Sequence, residues 1–186
     1  MKKTVTFEID GKEVKAEEGM TILKAAKQAS IEIPTLCYHE ELEPYGACRI
    51  CSVEIEKRGR TQVVASCCYP VEEGLKVKTT SEKVERIRKM MIEMLLPISP
   101  SGPILSLAQK FGVEKSRFHA ELTHCILCGL CVRYCSEITK ENAVTFVGRG
   151  ALRKITIVPE KAGICALCRE CYDLCPGGKI IDETAV

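Results

Sequence analysis

The chain has no tryptophan and only four phenylalanines and five tyrosines in 186 residues. With so few aromatic groups to bury, small domains built from it need another source of folding energy, and metal ligation is one. Charge excess is also missing: 27 Lys and Arg stand against 25 Asp and Glu, a formal net charge of +2. That excludes the basic footprint of a nucleic-acid binder and the acidic tail of a solvating segment. No apolar run approaches the roughly 20 residues that span a bilayer, so direct membrane insertion is not expected. The opening residues, Met1 to Glu8, start basic but meet a charge before any apolar stretch develops. They are not expected to act as a secretory signal, and a cytoplasmic location is the expectation. Neither a G-x-G-x-x-G dinucleotide turn nor a G-x-x-x-x-G-K-S/T phosphate loop occurs, and no other catalytic motif takes their place.

What the chain does have is cysteine, 13 in all. The odd number argues against a closed disulfide framework, and cysteine at this density without export points to reduced thiols that bind metal. Five lie early: Cys37, Cys48, Cys51, Cys67 and Cys68. The remaining eight lie late: Cys125, Cys128, Cys131, Cys135, Cys165, Cys168, Cys171 and Cys175. Each member of the first late quartet recurs 40 positions later, as expected of two copies of one structural unit.

The pattern between them divides the chain into three parts: 1–80, a helical linker at 81–118, and 119–186. In the first, Val5, Phe7 and Ile9 alternate with polar residues. Asp10-Gly11 is a hairpin turn, and Lys12 to Ala16 reads as the returning strand. Thr21 to Ala29 reads as a helix, while Cys51 to Glu56, Arg60 to Ala65 and Leu75 to Thr79 read as strands. Together they predict a small α+β sheet crossed by one helix. Thr79 and Glu82 have capping-box spacing for a helix ending near Leu96, before Pro97. Its apolar stripe, Val84, Ile87, Met90, Met91, Met94 and Leu95, suits either a linker helix packed on its own modules or a Met-rich docking face. A short helix is predicted from Ile104 to Phe111. A hairpin through Gly148-Arg149-Gly150 is predicted to join Val144 and Phe146 to the run Ile155 to Val158.

The late cysteines follow C-x2-C-x2-C-x3-C twice, the second copy ending Cys175-Pro176. This is the spacing of bacterial ferredoxins with two [4Fe–4S] clusters. Three close thiolates wrap one side of a cubane, and the fourth must arrive from another direction. The last cysteine of each run, on a helical turn after the loop, is expected to serve the other cluster. The expected ligand sets are Cys125, Cys128, Cys131 and Cys175 for the first, and Cys165, Cys168, Cys171 and Cys135 for the second. Structural zinc prefers four ligands as two separated pairs, and a duplicated triplet-plus-one leaves no economical arrangement for it. The early group, Cys37-x10-Cys48-x2-Cys51-x15-Cys67, has a longer first loop than the plant-type spacing and suits a [2Fe–2S] rhomb. Spacing alone allows either Cys67 or Cys68 as its fourth ligand.

Leu36-Cys37-Tyr38-His39, Gly46-Ala47-Cys48-Arg49-Ile50-Cys51 and Ala65-Ser66-Cys67 resemble the N-terminal iron–sulfur region of one known family. The family is shared by the large peripheral-arm subunit of respiratory complex I, iron-only hydrogenases and the diaphorase subunits of NAD-linked hydrogenases. Glu114-Lys115-Ser116-Arg117-Phe118 and the stretch from His124 to Arg133 are similar to it as well. The resemblance implies a β-grasp [2Fe–2S] ferredoxin-like domain, a helical linker and a bacterial-type 2[4Fe–4S] ferredoxin-like domain. It also implies Cys67 as the fourth [2Fe–2S] ligand, since that ligand follows a Ser and precedes a Pro by three residues, here Pro70. Longer relatives hold an extra cluster with one His and three Cys. Pro97 to His124 contains no cysteine, so that cluster is not expected, and His119, His124 and His39 are read as loop histidines. Iron-only hydrogenases continue into a catalytic domain beyond the equivalent of Val186, and no hydrogen-activating site is expected here.

The implied role is an electron conduit. It would link a flavoprotein subunit that binds NAD(P) to a catalytic oxidoreductase subunit, a hydrogenase, a formate dehydrogenase or another. Its cofactors would be one [2Fe–2S] and two [4Fe–4S] clusters. A freestanding multi-cluster ferredoxin, an iron–sulfur redox sensor and a zinc-stapled binding module are the alternatives.

Overall fold

The computed structural model describes residues 3–180, and the readings that touch Met1, Lys2 and 181–186 lie outside them. The chain forms two compact units. The first comprises Met1–Thr35 and Pro44–Met91; the second comprises Leu36–Glu43 and Ile92–Val186.

In the first unit, β1 (Thr4–Ile9) and β2 (Lys12–Glu17) form the hairpin read from the alternation. Asp10 and Gly11 take left-handed backbone angles, φ 50° and 79°, as a two-residue turn matched to strand twist requires. Next comes α1 (Ile22–Gln28), whose N-terminus is capped by the Thr21 hydroxyl accepting from the Lys24 N–H at 3.3 Å. β3 (Ser52–Lys57), β4 (Arg60–Ala65) and β5 (Lys76–Lys78) complete a five-stranded mixed sheet ordered β2-β1-β5-β3-β4. Its one parallel pair is β1 with β5, an α+β arrangement of the β-grasp kind. The register aligns Ile9 with Val77 and Val77 with Ile55, and all three are buried. Ile22, Leu23, Ala25 and Ala26 of α1 are buried as well.

The helix α2 (Glu82–Leu95) runs from the first unit into the second. Two readings of it need correction. Its cap is Ser81, whose hydroxyl accepts from the Val84 N–H at 3.3 Å. Thr79 is unavailable for capping because its N–H and hydroxyl both donate to the Asp10 carboxylate, at 2.7 and 2.5 Å. The deeply buried line is Val84, Arg88 and Ile92, while Met90 and Met94 are exposed. The stripe drawn from apolar residues shares only Val84 with this line, leaving out the charged Arg88 and the apolar Ile92.

The second unit continues with α3 (Gly102–Phe111), α4 (Leu130–Glu137), a hairpin of β6 (Val144–Val147) and β7 (Lys154–Ile157), and α5 (Ala162–Cys168). Arg117 grips the carboxylate of Glu93 through its N–H, Nε and Nη2, and the Ser116 hydroxyl donates to the Glu93 carbonyl. These bonds account for the Ser116-Arg117 part of the sequence motif. Around the late cysteines the core is thin. Cys131, Cys135, Cys165 and Cys171 are buried with Ala143, Val144, Ile155 and Ile180, so thiols occupy half of it.

Candidate metal centres

The chain enters the late cysteine region through a contorted loop. His124, Leu127 and Gly129 have φ of 56°, 52° and 73°, and two of the three are non-glycine residues held in a costly left-handed conformation. Such a path coils the backbone around Cys125 and Cys128. Cys131 then lies in the first turn of α4, with Cys135 one turn later. In the second copy the helix comes first: Cys165 and Cys168 lie on α5, Cys171 in a turn, and Cys175 in irregular chain. Cys175 is therefore not on a helical turn as expected. The cysteine spacing is duplicated but the secondary structure is not, because Pro176 and Gly177 follow Cys175 where Ser136 and Glu137 continue α4. The Gly177 turn passes so close to the His124 carbonyl that a Cβ there would stand 1.9 Å from its oxygen.

The thiols sort into two neighbourhoods. Burial pushes the Cys131 thiol well above its usual range, reinforced by the negative charge of Cys128, Cys171, Cys175 and Cys125. Burial likewise raises Cys128 to about 12, with Cys175, Cys37 and Cys125 adding to it. Cys171 is pushed up to about 12 by burial and then by Cys165 and Cys135, with Cys168 a smaller contributor. Cys165 is raised by burial and by Cys135 and Cys168. Cys135 thus keeps company with Cys165, Cys168 and Cys171, and these four line one small pocket, partly open to solvent. Cys175 keeps company with Cys125, Cys128 and Cys131. The Ala143 N–H points at the Cys135 sulfur at 3.1 Å, a donor aimed at developing thiolate charge.

In the first unit Cys48, Cys51 and Cys67 are buried and Cys68 is exposed. The Cys51 thiol donates to the Cys67 sulfur at 3.4 Å, and the Cys67 and Cys68 sulfurs stand 3.6 Å apart. The bond from Cys51, then burial, holds the Cys67 thiol far above its ordinary pKa. The fully buried Ser66 hydroxyl donates to the Cys51 carbonyl at 2.7 Å. Gly46, at φ 68°, leaves room for the Cys68 sulfur where a Cβ would approach it to 2.9 Å.

Cys37 belongs to the second unit, on the segment Leu36–Glu43. Arg133 of α4 donates to the carbonyls of Cys37 and Glu43, and the Glu43 N–H donates to the Glu137 carboxylate at 2.9 Å. His39 meets Tyr134 edge-on at 6.0 Å between ring centres. It is half-buried.

These donor sets fit iron–sulfur clusters. Thiolates are soft ligands that select iron–sulfur, zinc or copper(I). A buried thiol that resists ionisation becomes a thiolate readily once a metal takes the charge. Among the described residues no three His, Cys, Asp or Glu side chains are gathered for a single ion. A polynuclear cluster is a larger body whose ligands stand farther apart, and for it the relevant features are the four-thiol groupings and the N–H aimed at sulfur.

Residues 2–82 match the family described as a 2Fe-2S iron-sulfur cluster binding domain. Residues 116–181 match the NADH-quinone oxidoreductase subunit 3 ferredoxin-like domain. A crystal structure of NAD+-reducing [NiFe]-hydrogenase in the H2-reduced state is 33% identical with a TM-score of 0.71, over 83% of this chain and 75% of that one. The NADPH-Fe(3+) oxidoreductase subunit alpha of Geobacter sulfurreducens is 35% identical over 96% of this chain and 24% of its own length. The NADH-ubiquinone oxidoreductase 75 kDa subunit of Reclinomonas americana is 34% identical over 94% of this chain and 29% of its own. The chain belongs to this family of iron–sulfur subunits. It spans about a quarter of the length of these curated relatives. As in the family, a [2Fe–2S] ferredoxin-like domain is followed by a [4Fe–4S] ferredoxin-like domain. Its homologues are electron-transfer subunits of NADH, NADPH and hydrogenase complexes. Among the described residues no helix is long and apolar enough to cross a membrane.

Two residues at these centres escape a reading built on cysteines. Arg88 donates to the carbonyls on either side of Cys51, and Arg133 holds the Cys37 segment. Arg88 carries a signal, as a charge at i+4 from Val84 and i−4 from Ile92. Arg133 carries only its place inside the Cys131-x3-Cys135 turn.

Proposed function

We propose that this chain relays single electrons between a flavoprotein subunit that binds NAD(P) and a catalytic oxidoreductase subunit. It would do so through one [2Fe–2S] and two [4Fe–4S] clusters. Cys37, Cys48, Cys51 and Cys67 hold the first of these. Cys125, Cys128, Cys131 and Cys175 hold one cubane, and Cys165, Cys168, Cys171 and Cys135 hold the other. The division 1–80, 81–118 and 119–186 follows the same assignment. When bound, the clusters supply one-electron redox chemistry, and the chain supplies thiolates, burial and aimed N–H groups.

The observation that carries this reading is the interleaving of the late thiols. Cys135 shares a pocket with Cys165, Cys168 and Cys171 although 30 residues separate it from the nearest of them. A zinc staple or a disulfide framework has no need of that exchange. Crossed ligation ties both halves of the repeat together and sets two redox centres side by side.

Strictly anaerobic purification of the tagged chain from its native host tests the wiring. Mass spectrometry should find a flavoprotein and an oxidoreductase subunit in stoichiometric amounts, and NAD(P)H should reduce the clusters of that complex. A lone iron–sulfur protein in repeated gentle preparations would instead establish a freestanding carrier.

A further inference from the structure

Arg88 is only 2% exposed. Its Nε donates to the Ile50 carbonyl at 3.1 Å and its Nη2 to the Ser52 carbonyl at 2.7 Å. Those carbonyls flank Cys51, itself buried, on a turn that starts with Arg49 at φ 59°. The Ser52 hydroxyl donates to the Arg49 carbonyl at 2.6 Å. The planar fork of a guanidinium is what allows one side chain to grip two carbonyls a residue apart, which an ammonium does less well.

Placing a full positive charge in an interior is costly unless negative charge opposes it. The bonds to the two carbonyls flanking Cys51 set the guanidinium charge beside that residue, where the charge of a bound cluster would oppose it.

We propose that Arg88 is a positioning residue of the [2Fe–2S] centre, fixing the Cys51 turn and stabilising the reduced cluster by charge compensation. The proposal rests on the ligand assignment above. Reduction adds one electron to a centre whose net charge, thiolates included, goes from about −2 to about −3. No bond forms or breaks, and the guanidinium is already charged, so it takes up no proton. A fixed buried cation favours the more negative state and so raises the reduction potential.

Redox titration with dithionite and dye mediators, followed by electron paramagnetic resonance of the [2Fe–2S] signal, tests this in the anaerobic holoprotein. Arg88→Gln should lower the reduced-to-oxidised ratio at fixed potential about tenfold, which for one electron is about 59 mV. Arg88→Lys keeps the charge and should recover most of that shift. An Arg88→Gln protein with full [2Fe–2S] content and an unchanged potential would overturn the proposal. So would an Arg88→Lys protein as low in potential as Arg88→Gln. Should Arg88→Gln fail to fold, Arg88→Met, which keeps bulk and removes the charge, carries the test: a tenfold fall in the reduced-to-oxidised ratio supports compensation, and an unchanged potential overturns it. A wild-type protein without a [2Fe–2S] signal is a different failure, that of the ligand assignment.

Discussion

Removing the iron should unfold the cysteine-rich part of the second unit and leave the first unit's sheet in place. Around the late thiols the large apolar groups fully or nearly buried are Leu130, Val144, Ile155 and Ile180. At about 2 kcal/mol for each side chain, they contribute roughly 8 kcal/mol of burial. In the first unit Val5, Phe7, Ile9, Val14, Ile22, Leu23, Ile50, Val53, Ile55, Val71, Leu75 and Val77 are all buried. On the same scale they contribute roughly 24 kcal/mol. A core this thin leans on metal, and structural thiolate-rich zinc sites, at about 10–16 kcal/mol, indicate what metal ligation can supply. Hydrogen exchange followed by mass spectrometry, on holoprotein and on anaerobically chelated protein, reads both units at once. Peptides from 125–180 should lose protection when iron leaves, while those from β1, β2, α1, β3 and β4 should keep it. Protection of 125–180 that survives complete loss of iron would refute the reasoning.

Arg133→Ala removes two bonds from a charged donor to the carbonyls of Cys37 and Glu43. The Glu43 amide should then exchange about tenfold faster or more, as expected for losing a charge-assisted bond. Gly46→Ala should cost at least about 1 kcal/mol, from its positive φ and the 2.9 Å approach to the Cys68 sulfur. Cys68→Ala in the same chain should return part of that loss, measured as a double-mutant cycle in denaturant. Asp10→Ala leaves the Thr79 N–H and hydroxyl without their carboxylate, and should lower stability by about 2–4 kcal/mol in urea melts.

The first unit was largely legible because its signals are local. Period-2 alternation at Val5, Phe7 and Ile9, and a turn pair at Asp10-Gly11, depend on a few neighbouring residues. The capping box was misread because three hydroxyl residues, Thr79, Thr80 and Ser81, precede the helix. The choice among them shows only in the tertiary bond from Thr79 to Asp10 and the Val84 N–H on Ser81, with latitude that sequence spacing leaves open. Arg88 was missed because a charged residue scores as surface, and what buries it is a pair of distant carbonyls. The spacing of the late cysteines anticipated the pocket that Cys135 shares with Cys165, Cys168 and Cys171, because spacing fixes which thiols can meet and leaves the backbone between them latitude. The same latitude explains why Cys135 lies on a helix and Cys175 does not. The segment Leu36–Glu43 counts with the second unit because Arg133 and Glu137 hold its backbone, a partnership across about 90 residues that no local pattern announces.

The central claim is that each late cysteine run lends its last thiolate to the other cluster. Iron and sulfide analysis, with electron paramagnetic resonance of Cys135→Ala and Cys175→Ala beside wild type, tests it most directly. Wild type should hold about ten irons per chain in three distinguishable signals. Cys135→Ala should perturb the cluster of Cys165, Cys168 and Cys171, and Cys175→Ala that of Cys125, Cys128 and Cys131. Each variant should then match the signal changes of Cys168→Ala and Cys128→Ala respectively. If Cys135→Ala instead matches Cys128→Ala, the ligands are not exchanged and the account is wrong.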